Sequence, residues 1–281
     1  MERGTYLNAF RSKKISTKFK GIRTFHKATH TPSTAQPGDV LTVIVPKLKD
    51  KLFLPATFAM IFDMEIVLDP AEPGTTVNNY PVNNLAANII SRLVIKINSD
   101  PIFDLDNAHL YNTYKDLWLT EKQRTNSVFK GIQVEELRKM RSDLKATLPD
   151  VKAVNTTLRG VFGKKYVVPL NLDFIADHIP LHTSELDSIV FELTVNTPKN
   201  VLKYSKAETI DFTMKNICLT YETLDARDLR SEITRTLDIG FPFLFDDVHH
   251  YKRETVAKSK KQFNIDVDVD RKSLKGILII F

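Results

Sequence analysis

Eight lysines and arginines lie within the first 38 residues (Arg3, Arg11, Lys13, Lys14, Lys18, Lys20, Arg23 and Lys27) against a single acid, Glu2. This stretch carries a net +7, whereas the whole chain is +6, so residues 39–281 sum to −1. A cationic run beside a near-neutral body has few chemical uses: it meets nucleic acid, an anionic membrane or an acidic protein surface. The residues best placed to neutralise phosphate are Arg11, Lys13, Lys14, Lys18, Lys20, Arg23 and Lys27.

Other groups hold reactive residue types without the spacing that chemistry needs. Asp246-Asp247-Val248-His249-His250 offers metal-ligand types. On a strand the two histidines point to opposite faces, so they cannot share an ion. Asp266, Asp268 and Asp270 alternate with Ile265, Val267 and Val269, the pattern of a half-buried strand with wet acids. A calcium loop would add a turn and carbonyl ligands. Asp177, His178, His182, Ser184 and Glu185 sit close in sequence, but no G-x-S-x-G nucleophile elbow accompanies them. Cys218 lies mid-strand, where a thiol acts as a small hydrophobe. His26 and His30 have helical spacing, which Thr29, Thr31 and Pro32 oppose. The expectation is therefore no enzyme activity, no catalytic residue, no metal and no cofactor.

The composition is that of a folded chain, 42% hydrophobic and 26% charged. With nine glycines, a glycine-rich phosphate cradle is not expected. One cysteine excludes an intrachain disulfide and a Cys-rich zinc site. No apolar run reaches the length of a membrane span, and no secretory signal is visible, so the protein is not expected to be secreted.

The elements that would position these groups are mostly strands. Thr31 to Asp39 contains two prolines and a Pro-Gly pair and reads as a turn region. Val40–Val45, Phe58–Leu68, Leu93–Ile97, Tyr166–Leu170, Ser188–Val195 and Asp211–Tyr221 have strand composition. In the last, Phe212, Met214, Asn216, Cys218 and Thr220 should share one face; Thr213, Lys215, Ile217, Leu219 and Tyr221 should share the other. From Asp106 to Trp118 the period becomes helical, through Leu110, Tyr111, Tyr114, Leu117 and Trp118. That stripe is expected to pack onto the sheets; the alternative is a subunit contact through Tyr111, Tyr114, Leu117 and Trp118, since aromatics are enriched at interface cores. Thr120-Glu121-Lys122-Gln123 reads as a capping box opening a second helix. Glu135–Lys145 reads as a third. The chain ends on the apolar run Gly276-Ile277-Leu278-Ile279-Ile280-Phe281. Such a strand must be paired or it invites aggregation, which favours a chain cut short.

The order of certain segments resembles a known family. Ala35-Gln36-Pro37-Gly38-Asp39 leads to Ile44-Val45-Pro46-Lys47-Leu48, then Asn83-Asn84-Leu85, Leu93-Val94-Ile95-Lys96-Ile97 and Phe103-Asp104. Next come Tyr114-Lys115-Asp116-Leu117-Trp118-Leu119 and Lys122-Gln123-Arg124-Thr125-Asn126; Arg271-Lys272-Ser273-Leu274-Lys275-Gly276-Ile277-Leu278 closes the series. This order, over roughly residues 24–281, resembles the double jelly-roll major capsid proteins of Polinton/Maverick-type elements and adintovirus-like DNA viruses.

The fold class expected is mainly β: a jelly-roll sandwich with a helical insertion, followed by the start of a second jelly roll. The division runs as a basic, flexible arm over 1–34, a first jelly roll over 35–223 with its insertion at about 105–145, a connector helix over 224–240, and first strands of a second barrel over 241–281. The resemblance implies a structural capsid subunit that assembles into homotrimers and a shell, in a virion or the host nucleus or cytoplasm. The arm would face DNA or an acidic inner capsid protein. The alternative is a non-enzymatic jelly-roll binding module with a nucleic-acid-binding arm. Family members continue past the Ile277-Leu278-Ile279-Ile280-Phe281 strand, which leaves the second barrel partial here.

Overall fold

Alternating apolar and polar residues set most of the architecture. The computed structural model describes residues 22–70, 78–81, 84–126, 158–159, 165–170, 181–184, 188–205 and 207–225, with single positions at 231 and 248. In chain order the elements are β1 (Ile22–Thr29), β2 (Val40–Ile44), β3 (Leu52–Pro70), β4 (Asn78–Pro81), α1 (Leu85–Asn88), β5 (Ile90–Ile97), β6 (Asp100–Asp106), α2 (Ala108–Leu117) and α3 (Glu121–Asn126). There follow β7 (Leu158–Arg159), β8 (Tyr166–Pro169), β9 (Ile189–Val195), α4 (Pro198–Val201), β10 (Leu202–Ser205) and β11 (Ala207–Asp225).

Two antiparallel sheets form a mainly β, jelly-roll-type sandwich. The first has the order β1-β11-β3-β7, with β8 also on β3; the second has the order β2-β9-β5-β6. A small ladder joins β10 to β4. The chain passes directly from one large sheet to the other at β1–β2, β2–β3, β6–β7 and β8–β9, so apart from the β5–β6 hairpin the paired strands are distant in sequence. β9 shows why the sheets face each other: Ile189, Phe191, Leu193 and Val195 are buried and the residues between them are not. Phe58, Met60, Phe62 and Met64 of β3 do the same from the opposite sheet. The rings of Phe58 and Phe191 meet edge-on across the sandwich at 5.9 Å. Each such fully buried side chain contributes roughly 1.5–3 kcal/mol by removal from water.

β11 departs from the expected two-faced pattern. Its register against β3 runs Met214↔Met64 and Lys215↔Asp63, then jumps to Cys218↔Ile61. The extra residue makes a bulge, and Asn216 takes a left-handed conformation with φ 54, which Asn tolerates better than most side chains. The facing reverses there. Phe212 and Met214 lie in the core before the bulge; Ile217 lies in it afterwards, with Leu219 and Tyr221 packed against it. Asn216 is exposed, so the expected grouping of Phe212 with Asn216, Cys218 and Thr220 on one face is corrected by one residue.

The N-terminal segment differs as well. Residues 22–29, assigned from sequence to a flexible arm, form β1 and pair along β11 from Ile22↔Asp225 to Thr29↔Cys218. The pairing continues beyond the strand: the amide of His30 donates to the carbonyl of Ile217 (2.9 Å), and Ala35 exchanges two bonds with Met214 (3.0 and 2.8 Å). Pro37-Gly38 then carries the chain to the other sheet, where the Gly38 amide donates to Val195 O (3.0 Å). The physical reason is composition. Ile22, Thr24, Phe25 and Thr29 favour a strand, and the cations between them point outward.

Of the expected helices, Glu135–Lys145 and most of the connector at 224–240 lie outside the described residues, where Leu224 and Asp225 close β11. The strands expected over 241–281 lie outside them also.

Candidate assembly and nucleic-acid surfaces

The helix expected to pack onto the sheets lies against β5 and α1 and is held there by polar bonds, with its C-terminal end outward. Asn84, in left-handed conformation ahead of α1, donates from Nδ2 to both carboxylate oxygens of Asp116 at 2.7 Å. Asn112 Nδ2 donates to Ala87 O (3.0 Å), and Thr113 Oγ1 donates to Asn88 Oδ1 (3.3 Å). Arg124 of α3 reaches back to the carbonyls of Asp116 (2.6 Å) and Leu119 (3.3 Å). The capping box forms as expected: the Thr120 amide donates to Gln123 Oε1 (2.8 Å), and the Gln123 amide donates to Thr120 Oγ1 (3.4 Å).

These bonds use one side of α2 and leave the other open. Leu117 and Trp118 are 71% and 73% exposed, so the expectation that the stripe packs onto the sandwich fails at these two residues, while Leu110, Tyr111 and Tyr114 are half-buried. Only Ala108 of α2 is buried. Tyr114 and Trp118 meet edge-on at 6.1 Å, and the Lys115 ammonium lies 4.7 Å from the Tyr111 ring centre. The four aromatic and aliphatic residues singled out in the sequence thus lie on one helix, with Tyr111 and Tyr114 half-buried behind Leu117 and Trp118.

Two of the seven arm cations, Arg23 and Lys27, fall among the described residues, both on β1; Arg11, Lys13, Lys14, Lys18 and Lys20 lie outside them. Burial along β1 alternates, with Arg23, Phe25 and Lys27 exposed and Thr24 and His26 half-buried. His26 anchors the inner side: its ring stacks on Tyr221 at 4.9 Å, and Nε2 lies 2.9 Å from Thr223 Oγ1. On the outer side Arg23 approaches the Glu222 carboxylate at 3.6 Å. Phe25 between the two cations was missed by residue-type reasoning that sought only charge. Its signal was the period-two order of Arg23, Phe25 and Lys27 itself.

The outer faces of both sheets carry paired charges. Arg92 binds Asp104 through Nε (2.8 Å) and Nη2 (2.6 Å) across β5 and β6. This hydrogen bonding holds the Asp104 carboxyl below, and the Arg92 guanidinium above, their ordinary ranges. Lys96 pairs with Glu192 at 2.5 Å, Lys165 with Asp63 at 3.4 Å, and Lys215 with Glu65.

The residues considered for other chemistry are dispersed. His182 is buried, and its Nδ1 lies 3.2 Å from Ser184 Oγ. Neighbouring Thr183 ties this segment to the connection after β2, accepting from the Leu48 amide (2.9 Å) and donating to Pro46 O (2.7 Å). Asp177, His178 and Glu185 lie outside the described residues, as do Asp246, Asp247, His249, His250, Asp266, Asp268 and Asp270. Cys218 is buried with a free thiol. Among the described residues there is no group of three ligands able to hold a metal ion, and no helix long and apolar enough to cross a membrane.

No family model matches this chain, and no curated protein matches it. Among solved structures it is similar to the Faustovirus major capsid protein, at 10% identity and TM-score 0.48, covering 78% of this chain and 57% of that one. It is similar to a chain of the Sputnik virophage solved by cryo-EM, at 12% identity and TM-score 0.47, covering 75% and 49%. A third is the mavirus major capsid protein, at 13% identity and TM-score 0.39, covering 72% and 46%. The chain spans about half the length of these structures.

Proposed function

We propose that this chain is a structural capsid subunit of the double jelly-roll type, from an integrated viral or transposon element, whose mechanism is self-assembly. The observation that carries the reading is the placement of the family-like segments on one antiparallel sandwich. Ala35–Asp39 is the crossing between the sheets, Asn84-Leu85 opens α1, Leu93–Ile97 lies inside β5, and Tyr114–Leu119 is the outward end of α2. The helical insertion presents Leu117 and Trp118 on a support fixed by hydrogen bonds, the arrangement a subunit contact needs. Homotrimers joined through this insertion are the unit, and the shell is built from them. The basic N-terminal stretch faces the interior, where phosphate neutralisation is independent of sequence. The protein carries no catalytic step and acts within a virion.

Light scattering across a concentration series, with negative-stain microscopy of the same samples, tests the reading. Trimers and larger regular particles are expected. A monodisperse monomer at high concentration contradicts it and favours a binding module instead.

A further inference from the structure

We infer that the outer face of β1 is a binding surface for single-stranded nucleic acid, in which Phe25 stacks on a base while Arg23 and Lys27 contact the flanking phosphates. The inference rests on the reading that the basic N-terminal stretch meets nucleic acid, and it names the form of nucleic acid taken. Three observations carry it. Phe25 is 64% exposed on an edge strand, where a core residue of its size has no reason to be. It stands between two exposed cations on one face of the strand, and same-face side chains are about 7 Å apart. Lys27 has no ion-pair partner among the described residues, and Arg23 has only the long 3.6 Å contact with Glu222, so both can turn to an anion.

The platform is also rigid. β1 is paired to β11 along its whole length, and its inward side is pinned by the His26 stack on Tyr221. The backbone that carries Phe25 is thus fixed before a base settles on its ring. Duplex nucleic acid hides its base faces inside the stack, so a flat aromatic flanked by cations selects the single strand. An acidic protein surface would use the cations equally well but gives the ring no flat π-partner, so charge together with the aromatic favours nucleic acid.

The test is fluorescence anisotropy of the full chain with labelled oligothymidylate and with a duplex of equal length, over a series of salt concentrations. The wild type binds both with a salt-dependent affinity, and the single strand more tightly. Phe25→Ala and Phe25→Leu weaken single-strand binding by about 5- to 100-fold, and Phe25→Tyr restores it. In the Phe25 variants duplex affinity and the salt slope stay at wild-type values. Arg23→Gln with Lys27→Gln weakens both ligands and lowers the single-strand salt slope by about 1.4. Circular dichroism melts check that each variant is folded. Unchanged oligothymidylate binding in Phe25→Leu overturns the stacking surface while leaving a nucleic-acid role for the N-terminal stretch. A wild-type chain that binds neither DNA, but binds polyglutamate, overturns both.

Discussion

His30 Nε2 lies 2.9 Å from the carbonyl oxygen of Thr42, and this contact ties the two sheets together beside the turn that connects them. The other ring nitrogen, Nδ1, lies 2.8 Å from Pro32 O, and the His30 amide is bonded to Ile217 on β11. One buried side chain thus fixes the end of β1, the turn and β2. His30→Phe keeps an aromatic ring but removes the N–H donor that faces these carbonyls. The expected cost is about 1–3 kcal/mol, read as a lower denaturation midpoint at unchanged m-value. A midpoint equal to wild type contradicts the bridge.

Gly38 turns the chain between the sheets at φ +90. A Cβ there would meet nothing within 4 Å, so the penalty of Gly38→Ala is conformational alone. It is expected to destabilise by about 1–2 kcal/mol, while Gly38→Asn costs less because Asn enters this region more readily. Equal stability of the Ala and Asn variants, measured by denaturant titration, would show that the turn relaxes to another conformation.

The Arg92–Asp104 pair sets a pH dependence whose sign follows from its geometry. Hydrogen bonding from Arg92 lowers the Asp104 carboxyl below its unfolded value. The stabilisation is therefore present above the ordinary carboxylate range and is lost as pH falls through the depressed value. Both side chains are about half exposed (51% and 45%), so solvent screening keeps the contribution under about 1 kcal/mol. Asp104→Asn should lower stability slightly at neutral pH and match the wild type in acid. A difference that persists at low pH would assign the effect to packing.

Much of the sandwich was legible because period-two strands announce themselves. β2, β5, β8 and β9 fall where Val40–Val45, Leu93–Ile97, Tyr166–Leu170 and Ser188–Val195 predicted strands. The Thr120–Gln123 capping box was legible for a local reason, since its two bonds lie within four residues. The bulge at Asn216 was not: one inserted residue leaves composition unchanged yet reverses every later side chain. β1 was hidden by its cations, which dominate the composition of a strand whose pairing partner lies almost 200 residues away. The outward face of α2 was misread because helical spacing shows that a stripe exists but not what it meets. The bonds that hold it, from Asn84 to Asp116 and from Asn112 to the backbone carbonyl of Ala87, join residues far apart in the pattern.

Exposure of Leu117 and Trp118 on a helix held by polar bonds separates stability from assembly. Away from the core, their replacement should change folding free energy by no more than about 0.5 kcal/mol. The account therefore predicts that Leu117→Ser with Trp118→Ser melts like the wild type.

The most direct test of the central claim is sedimentation velocity of the wild type and this double variant over a range of concentrations. Self-association in the wild type, lost in a double variant that stays folded, is the result the capsid-subunit account predicts. A wild type that sediments as a monomer throughout, or a double variant that associates equally well, contradicts the account of α2 as the contact through which copies of this chain assemble.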